Sequence, residues 1–404
     1  VAFVGAALAA RSDRLLALST AGFLPARLRG PTRLFTSLVT AAVTVALVWA
    51  SVGLVRAERE AAGVLALGIP VWVVVCVMPL GFAAVALRVI RSASAHWPGR
   101  LAAAAGAALL LLLGRALPPE SLALPGVALI LATTLLGLPI FAALGGLALL
   151  FFFSEGTPMA AVTVEAYRLA ASPMLPAVPL FTLGGYLLAE AGASERLVRV
   201  FRALVGWMPG GPAILTTLVF AFFTSFTGAS GVTILSLGGL LYPVLVKSRF
   251  PEPFSLGLVT ASGSIGLLFP PSLPVILYGV YAQTQIDRLF IGGFLPGLLL
   301  LALVSAWGVW KGLQVQAERT PFQAREAVAA LWAAKWELLL PVVVLVGIFG
   351  GFATLVEAAA LTVVYAFLVE CLVHKELRVR RDVPRITEEC VTLVGGVLLI
   401  LGVA

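Results

Sequence analysis

The chain has 404 residues, 61% of them hydrophobic and 11% charged, with a net charge of +8. Soluble domains carry about 25% charged residues, so the composition excludes an ordinary soluble enzyme, a disordered chain and a disulfide scaffold. It places the chain in a lipid bilayer.

A helix of about 20 apolar residues crosses a bilayer. In chain order, the apolar stretches that predict spans are Thr36–Val55, Leu65–Ile90, Leu101–Leu117, Leu122–Phe153, Pro173–Ala189, Phe290–Trp310 and an interrupted Leu338–Val373. Leu122–Phe153 is too long for one upright helix and is expected to tilt or to bend at Pro139. The chain starts at Val1, without Met, inside one apolar run and stops at Ala404 inside another, which reads as a piece of a longer polypeptide.

Arg11, Arg14, Arg27, Arg29 and Arg33 crowd the first connection, opposed only by Asp13, and Arg88, Arg91 and Arg100 lie at or just past the end of the Leu65–Ile90 span. This bias predicts that both segments are cytoplasmic. No long basic run with interleaved aromatics supports a nucleic-acid partner. The scattered Cys76, Cys371 and Cys390 predict neither a metal cluster nor a disulfide framework. His96 and His374 fall in polar connections. Residues 92–120 hold Ser92–Gly99, an Ala/Leu-rich helix and Pro118-Pro119-Glu120. They predict a small membrane module (1–92), a connecting segment (93–120) and a larger module (121–404).

Two regions break the spanning pattern. The first, Met208–Lys247, reads as an apolar helix ending at Thr224, a small polar tip Ser225-Phe226-Thr227-Gly228-Ala229-Ser230-Gly231, and a second apolar stretch Val232–Val246. Each arm of about 14–15 residues reaches roughly 21–22 Å, short of a core about 30 Å thick. A re-entrant hairpin fits, with backbone at membrane depth only where protein or a water-filled cavity receives it. Two short tilted spans joined at the interface fit the same residues. Hydroxyls at Ser225, Thr227 and Ser230, with Gly228, suit a ligand stripped of water.

The second region, Phe254–Tyr281, contains Ser262-Gly263-Ser264-Ile265-Gly266 and then Pro270-Pro271-Ser272. Tandem prolines remove two donors and forbid a continuous helix. A discontinuous helix whose second half starts near Ser272 would turn its positive end inward. Such ends hold anions, and unwound carbonyls hold Na⁺ or protons. A kinked structural helix is the plain alternative. Glu357, in Thr354-Leu355-Val356-Glu357, is the acidic residue deepest in the apolar sequence after Leu338. An intramembrane carboxylate is an ion-site candidate, whereas Thr-x-x-Glu is also a capping box.

Six blocks resemble, in order, the large membrane subunit of tripartite ATP-independent periplasmic (TRAP) transporters. They are Pro176–Gly185, Gly206–Gly211, the Ser225–Gly231 tip, Ala261–Gly266 with Pro270-Pro271-Ser272, Gly292–Gly297 and Gly351–Ala360. Gly5–Arg11 and the stretch from Gly68-Ile69-Pro70 to Met78–Phe82 resemble the family's small four-helix subunit. The resemblance implies an all-α polytopic protein of the bacterial inner (cytoplasmic) membrane, surrounded by membrane lipid. It implies an elevator-type transporter with a re-entrant hairpin and a discontinuous helix, the first of two inverted repeats, the second lying beyond Ala404. It further implies Na⁺-coupled uptake of a small organic anion delivered by a periplasmic substrate-binding protein, with no cofactor beyond Na⁺.

Under that resemblance the ion and substrate site draws on Ser225, Thr227, Gly228, Ser230, Ser262, Gly263, Ser264, Gly266, Pro270, Pro271, Ser272 and Glu357. Na⁺ is expected at Ser225, Gly228, Ser230 and Ser264. The family's usual Ser-Gly-Ser-Ser stands here as Thr227-Gly228-Ala229-Ser230, and its Thr-Pro-Thr-Glu as Thr354-Leu355-Val356-Glu357. An intramembrane enzyme would need facing His, Asp or Glu groups within spans, which the sequence does not offer, so no enzymatic activity is expected. A purely structural anchor suits residues 1–92 but leaves the two interrupted regions unexplained. A binding-protein-independent anion:Na⁺ symporter of similar design is the runner-up.

Overall fold

The computed structural model describes residues 2–11, 15–18, 25–65, 68–94 and 96–404. Val1, Asp13, Arg14 and Ala95, and residues 66–67 of the expected Leu65–Ile90 span, lie outside them. The chain divides into two compact units, Val1–Ser172 with Val391–Ala404, and Pro173–Cys390. The division falls at residue 172.

The first unit begins with α1 (Ala2–Arg11) and α2 (Ala26–Ala61). Helix α2 starts ten residues before the expected span, so Arg27, Arg29 and Arg33 are helical, not loop residues. Thr36, Thr40, Thr44 and Ser51 are buried along it, and the hydroxyls of Thr40, Thr44 and Ser51 each donate to the carbonyl four residues earlier. That local satisfaction lets polar side chains sit in an apolar helix without breaking it. Next come α3 (Val71–Val75), α4 (Val77–Ser92), α5 (Trp97–Ala116), α6 (Pro119–Leu135), α7 (Ile140–Ser154) and α8 (Ala160–Ala170). The long Leu122–Phe153 stretch does not bend as one helix. It breaks at Leu136–Pro139, where Gly137 takes φ +98°, and α6 and α7 pack on each other. A left-handed glycine followed by a proline two residues on ends a helix and does not merely kink it. Leu47, Phe82, Phe141 and Leu149 lie in this unit's core.

The second unit contains α9 (Ala177–Glu190), α10 (Ala193–Val205), α11 (Gly211–Thr227), α12 (Ser230–Lys247), α13 (Glu252–Ile265), α14 (Leu273–Tyr281) and α15 (Ile286–Gln314). Helices α16 (Ala324–Ala333), α17 (Lys335–Phe349) and α18 (Leu355–Phe367) follow, and α18 runs into a π-helical turn, Leu368–Val373. Helix α19 (Asp382–Val403) gives its first residues to this unit and Val391 onward to the first. Helix α11 is the axis of the unit. Of its residues only Pro212, Leu218 and Phe222 are not buried, because α9, α10, α12, α13 and α15 all pack on it. Helix α15 shows the opposite pattern: Ile291, Leu295, Leu299, Leu303 and Trp307 are exposed at four-residue spacing. An apolar stripe of that kind suits lipid contact.

Among the described residues, seven helices are long and apolar enough to cross a membrane, or nine if each of two bent pairs counts as one span. The chain is an all-α polytopic membrane protein.

Candidate functional site

The hairpin turn is shorter than the sequence suggested. Ser225, Phe226 and Thr227 complete α11, and Ser230 and Gly231 open α12, leaving Gly228-Ala229 as the connection. Small hydroxyl residues satisfy themselves inside a helix, as Ser225 does by donating to the Phe222 carbonyl at 2.8 Å, so a polar composition did not mark a loop. The turn is made at Gly228, whose φ of +64° is the left-handed conformation that ends α11. Its N–H donates to the Thr224 carbonyl at 2.9 Å.

The second interrupted region is broken where the prolines predict. After α13, residues Gly266–Leu268 form a 3₁₀ turn, Phe269–Ser272 form a tight turn with a cis Pro270–Pro271 bond, closed by Ser272 N–H donating to the Phe269 carbonyl at 3.1 Å, and α14 starts after Ser272. The two halves meet at 45°.

These two breaks lie against each other. A Cβ on Gly266 would overlap the Ala221 carbonyl oxygen and lie 2.6 Å from Thr224 Cβ, so only glycine lets the 3₁₀ turn approach α11 this closely. Gly228 faces Leu273 Cβ, the first residue of α14, and Gly263 faces Ile234 on α12. Helix α9 closes the other side, since a Cβ on Gly185 would lie 2.7 Å from the Phe226–Thr227 peptide. The hydroxyls then divide. Thr227 and Thr233 bridge the tip through their Oγ1 atoms at 2.7 Å, and the Ser262 hydroxyl reaches Thr217 Oγ1 at 3.4 Å. Thr224 Oγ1 and Ser272 Oγ are buried without any hydrogen-bond partner.

That contrast carries the site. Thr182, Thr216, Thr217, Ser248, Ser255 and Thr362 all return their hydroxyls to the carbonyl four residues back. Thr224 does not, although it sits in the same kind of buried helix. An unpaired buried hydroxyl costs roughly 1–3 kcal/mol. It is expected where a ligand supplies the missing bond. Ser305 on α15 is a third unpartnered hydroxyl, away from both breaks in the sequence.

The remaining residues are placed as follows. Pro270 and Pro271 are buried at the break. Ser230 is half-buried at the start of α12, and Ser264 is exposed on the face of α13 opposite buried Ser262. Glu357 is exposed. Its Oε2 accepts from Thr354 N–H at 2.7 Å and from Thr354 Oγ1 at 2.8 Å, while its own N–H donates to Thr354 Oγ1 at 3.3 Å. This is a complete capping box at the start of α18. Thr217, Thr224 and Thr233 escaped the sequence reading because a threonine in an apolar helix ordinarily bonds its own backbone.

Discontinuous helices that meet within the membrane recur in secondary transporters. Residues 127–404 match the sequence profile described as the tripartite ATP-independent periplasmic transporter, DctM component. Residues 1–99 match that of the DctQ component. The chain therefore belongs to the TRAP transporter permeases, with small- and large-subunit portions in one polypeptide.

Among its relatives are the isethionate TRAP transporter permease protein DctMQ of Oleidesulfovibrio alaskensis, 36% identical over 60% of this chain and 38% of its own length. The C4-dicarboxylate TRAP transporter large permease protein DctM of Rhodobacter capsulatus is 31% identical over 64% of this chain and 62% of its own. The 2,3-diketo-L-gulonate TRAP transporter large permease protein YiaN of Escherichia coli is 30% identical over 60% of this chain and 57% of its own. The chain thus spans less than two thirds of the length of these relatives. It is a multi-pass protein of the inner membrane.

Proposed function

We propose that the chain is the membrane component of a Na⁺-coupled, binding-protein-dependent transporter of organic anions. The observation that carries this reading is the junction of hairpin tip and broken helix, with the unpartnered Thr224 and Ser272 hydroxyls at it. The last turn of α11 ends there, and its carbonyls after Thr224 have no partner within the helix; together with the Thr224 hydroxyl they suit a desolvated cation. Helix α14 begins there with its positive dipole end and the Ser272 hydroxyl, which suit a carboxylate. Ser225, Gly228, Ser230 and Ser264 are the further Na⁺ candidates; Ser225 and Ser264 need a rotamer change or a shift of the break to reach the ion.

The DctQ portion favours dependence on a periplasmic binding protein over a binding-protein-independent symporter. Relatives named for C4-dicarboxylates, diketogulonate and isethionate support a small organic anion as substrate. The separate compact unit that carries both breaks supports an elevator movement of that unit.

The test is uptake of a labelled C4-dicarboxylate or isethionate by cells carrying the full-length permease and its binding protein. Uptake is expected to need both Na⁺ and the binding protein. Uptake that persists when K⁺ replaces Na⁺ would sink the coupling, and uptake without the binding protein would favour the symporter.

A further inference from the structure

The hairpin tip carries a short chain of hydrogen bonds whose direction follows from the hydrogens available. Thr227 is the last residue of α11, and Thr233 lies in the first turn of α12. Both are shut off from water, at 0% and 1% exposure. Their Oγ1 atoms are 2.7 Å apart, and by distance alone either could donate. The backbone beneath Thr227 is held on both sides: Gly185 of α9 lies against the Phe226–Thr227 peptide, and Gly228 lies against Leu273 at the start of α14.

A hydroxyl has one hydrogen to give and two lone pairs to receive with. Thr233 Oγ1 has a second acceptor within reach, the Ala229 carbonyl at 3.1 Å. Thr227 Oγ1 has no acceptor but Thr233 among the described residues. If Thr227 donates to Thr233 and Thr233 donates to Ala229, both hydrogens are bonded. The reverse direction strands the Thr227 hydrogen and gives up the Ala229 bond. Buried polar groups pair, so the chain runs from the Thr227 hydroxyl to Thr233 Oγ1, and from the Thr233 hydroxyl to the Ala229 carbonyl.

That direction divides the oxygens of the tip. The Ala229 carbonyl receives both Thr233 N–H at 3.2 Å and the Thr233 hydroxyl, so both its lone pairs are taken. Ala229 has no side-chain oxygen to add. Thr227 is the opposite case. Its hydrogen is spent on Thr233, and no described residue donates to its oxygen. Thr227 Oγ1 can therefore receive but not give. A carboxylate, which only accepts hydrogen bonds, gains nothing there. A cation finds an oxygen with unused lone pairs in a dry site. Thr224 and Ser272 differ, because their unpartnered hydroxyls can turn either a hydrogen or a lone pair to a ligand.

We infer that Thr227 Oγ1 is a ligand of the coupling cation, and that Thr233 is the residue that positions it. By taking the Thr227 hydrogen, Thr233 fixes the rotamer of Thr227 and leaves its lone pairs to the ion. Thr233 acts through Thr227 and need not touch the ion itself. This assignment rests on the Na⁺-coupled reading proposed above and deepens it: Thr227 serves the cation and not the anion, and α12 contributes to the ion site through a side chain one turn past the tip.

The test follows Tm of the full-length permease in lipid nanodiscs as Na⁺ replaces K⁺ at constant ionic strength, for wild type, Thr233→Val and Thr233→Ser. Tm begins to rise as Na⁺ passes its Kd, whatever the starting Tm, so a purely structural change moves the baseline and not the onset. Thr233→Val, which keeps the shape and loses the hydroxyl, is expected to need at least about fivefold more Na⁺ for the rise, and Thr233→Ser to stay within about twofold of wild type. A Thr233→Val onset equal to that of wild type overturns the assignment, as does a serine variant weakened as much as the valine one. Should Thr233→Val fail to fold, Thr227→Val is read in its place: an onset raised to the same extent supports the assignment, and a wild-type onset overturns it. A wild type without any Na⁺-specific rise would sink the Na⁺ coupling and this assignment with it, whereas a Na⁺-responsive wild type matched by the valine variant sinks this assignment alone.

Discussion

At the scale of single residues, the decisive feature is which hydroxyls lack a partner. Thr224→Val removes the unpaired oxygen of a buried side chain while keeping its shape. In the absence of Na⁺ it is expected to raise stability by about 1 kcal/mol. It should also lower Na⁺-dependent uptake at least tenfold, measured as denaturation midpoint and initial rate. A residue that served only packing would change neither rate nor Na⁺ dependence. Glu357 tests the opposite case. Thr354→Ala should cost about 1 kcal/mol through loss of the cap, read as a lower denaturation midpoint. Glu357→Gln should leave the Na⁺ dependence of uptake unchanged, because the side chain is exposed and engaged by Thr354.

The sequence shows the Ser, Thr and Gly residues but not their hydrogen bonds. Ser225, Ser262 and Ser272 were legible as polar gaps in an oily chain. Thr224 was not, because whether a helical threonine bonds its own backbone depends on what presses against it, here the turn at Gly266.

At the scale of elements, the two interruptions fold by different means. The hairpin turns on Gly228 alone, in the left-handed region. Gly228→Ala should destabilise the chain by about 1–2 kcal/mol from the backbone term, and its Cβ would also meet Leu273. Gly266→Ala drives a Cβ into the α11 backbone and should cost roughly 1–3 kcal/mol, with uptake lost because the break moves off Thr224. Both are checked by denaturation and uptake on the full-length permease. Wild-type uptake by the Gly266→Ala variant would contradict the close packing of the two breaks.

The broken helix could be read from Pro270-Pro271, whose missing donors act locally. The hairpin tip was read too wide, since Ser225–Thr227 and Ser230–Gly231 have no local reason to leave a helix. The split of Leu122–Phe153 lay in Gly137 as well as Pro139, because a left-handed glycine ends a helix outright where a proline alone would bend it.

At the scale of the whole molecule, hydropathy located the spans, and the polar breaks at 92–120 grouped them into a small and a larger module along the sequence. The small-subunit portion, residues 1–99, shares a compact unit with residues 127–172 and 391–404 of the large-subunit portion. Helix α1 meets α19 at Gly5, where a Cβ on Gly395 would lie 2.5 Å from Gly5 Cα. Contacts across nearly the whole sequence make this unit, and no local composition signals them. The hairpin and the broken helix fall in the other unit. The proposed ligand site therefore lies within Pro173–Cys390, at the junction of Thr224, Gly228, Gly266 and Ser272.

The most direct test is the shift in Tm that Na⁺ produces in the full-length permease, compared between wild type and the Thr224→Val, Ser272→Ala double variant. A ligand bound only by the folded state stabilises it as its concentration passes Kd. Wild type is expected to rise in Tm with Na⁺ but not with K⁺, and the double variant to show no Na⁺-specific rise while remaining folded. A Na⁺-specific rise of equal size in both proteins would contradict the assignment of this junction as the ion site.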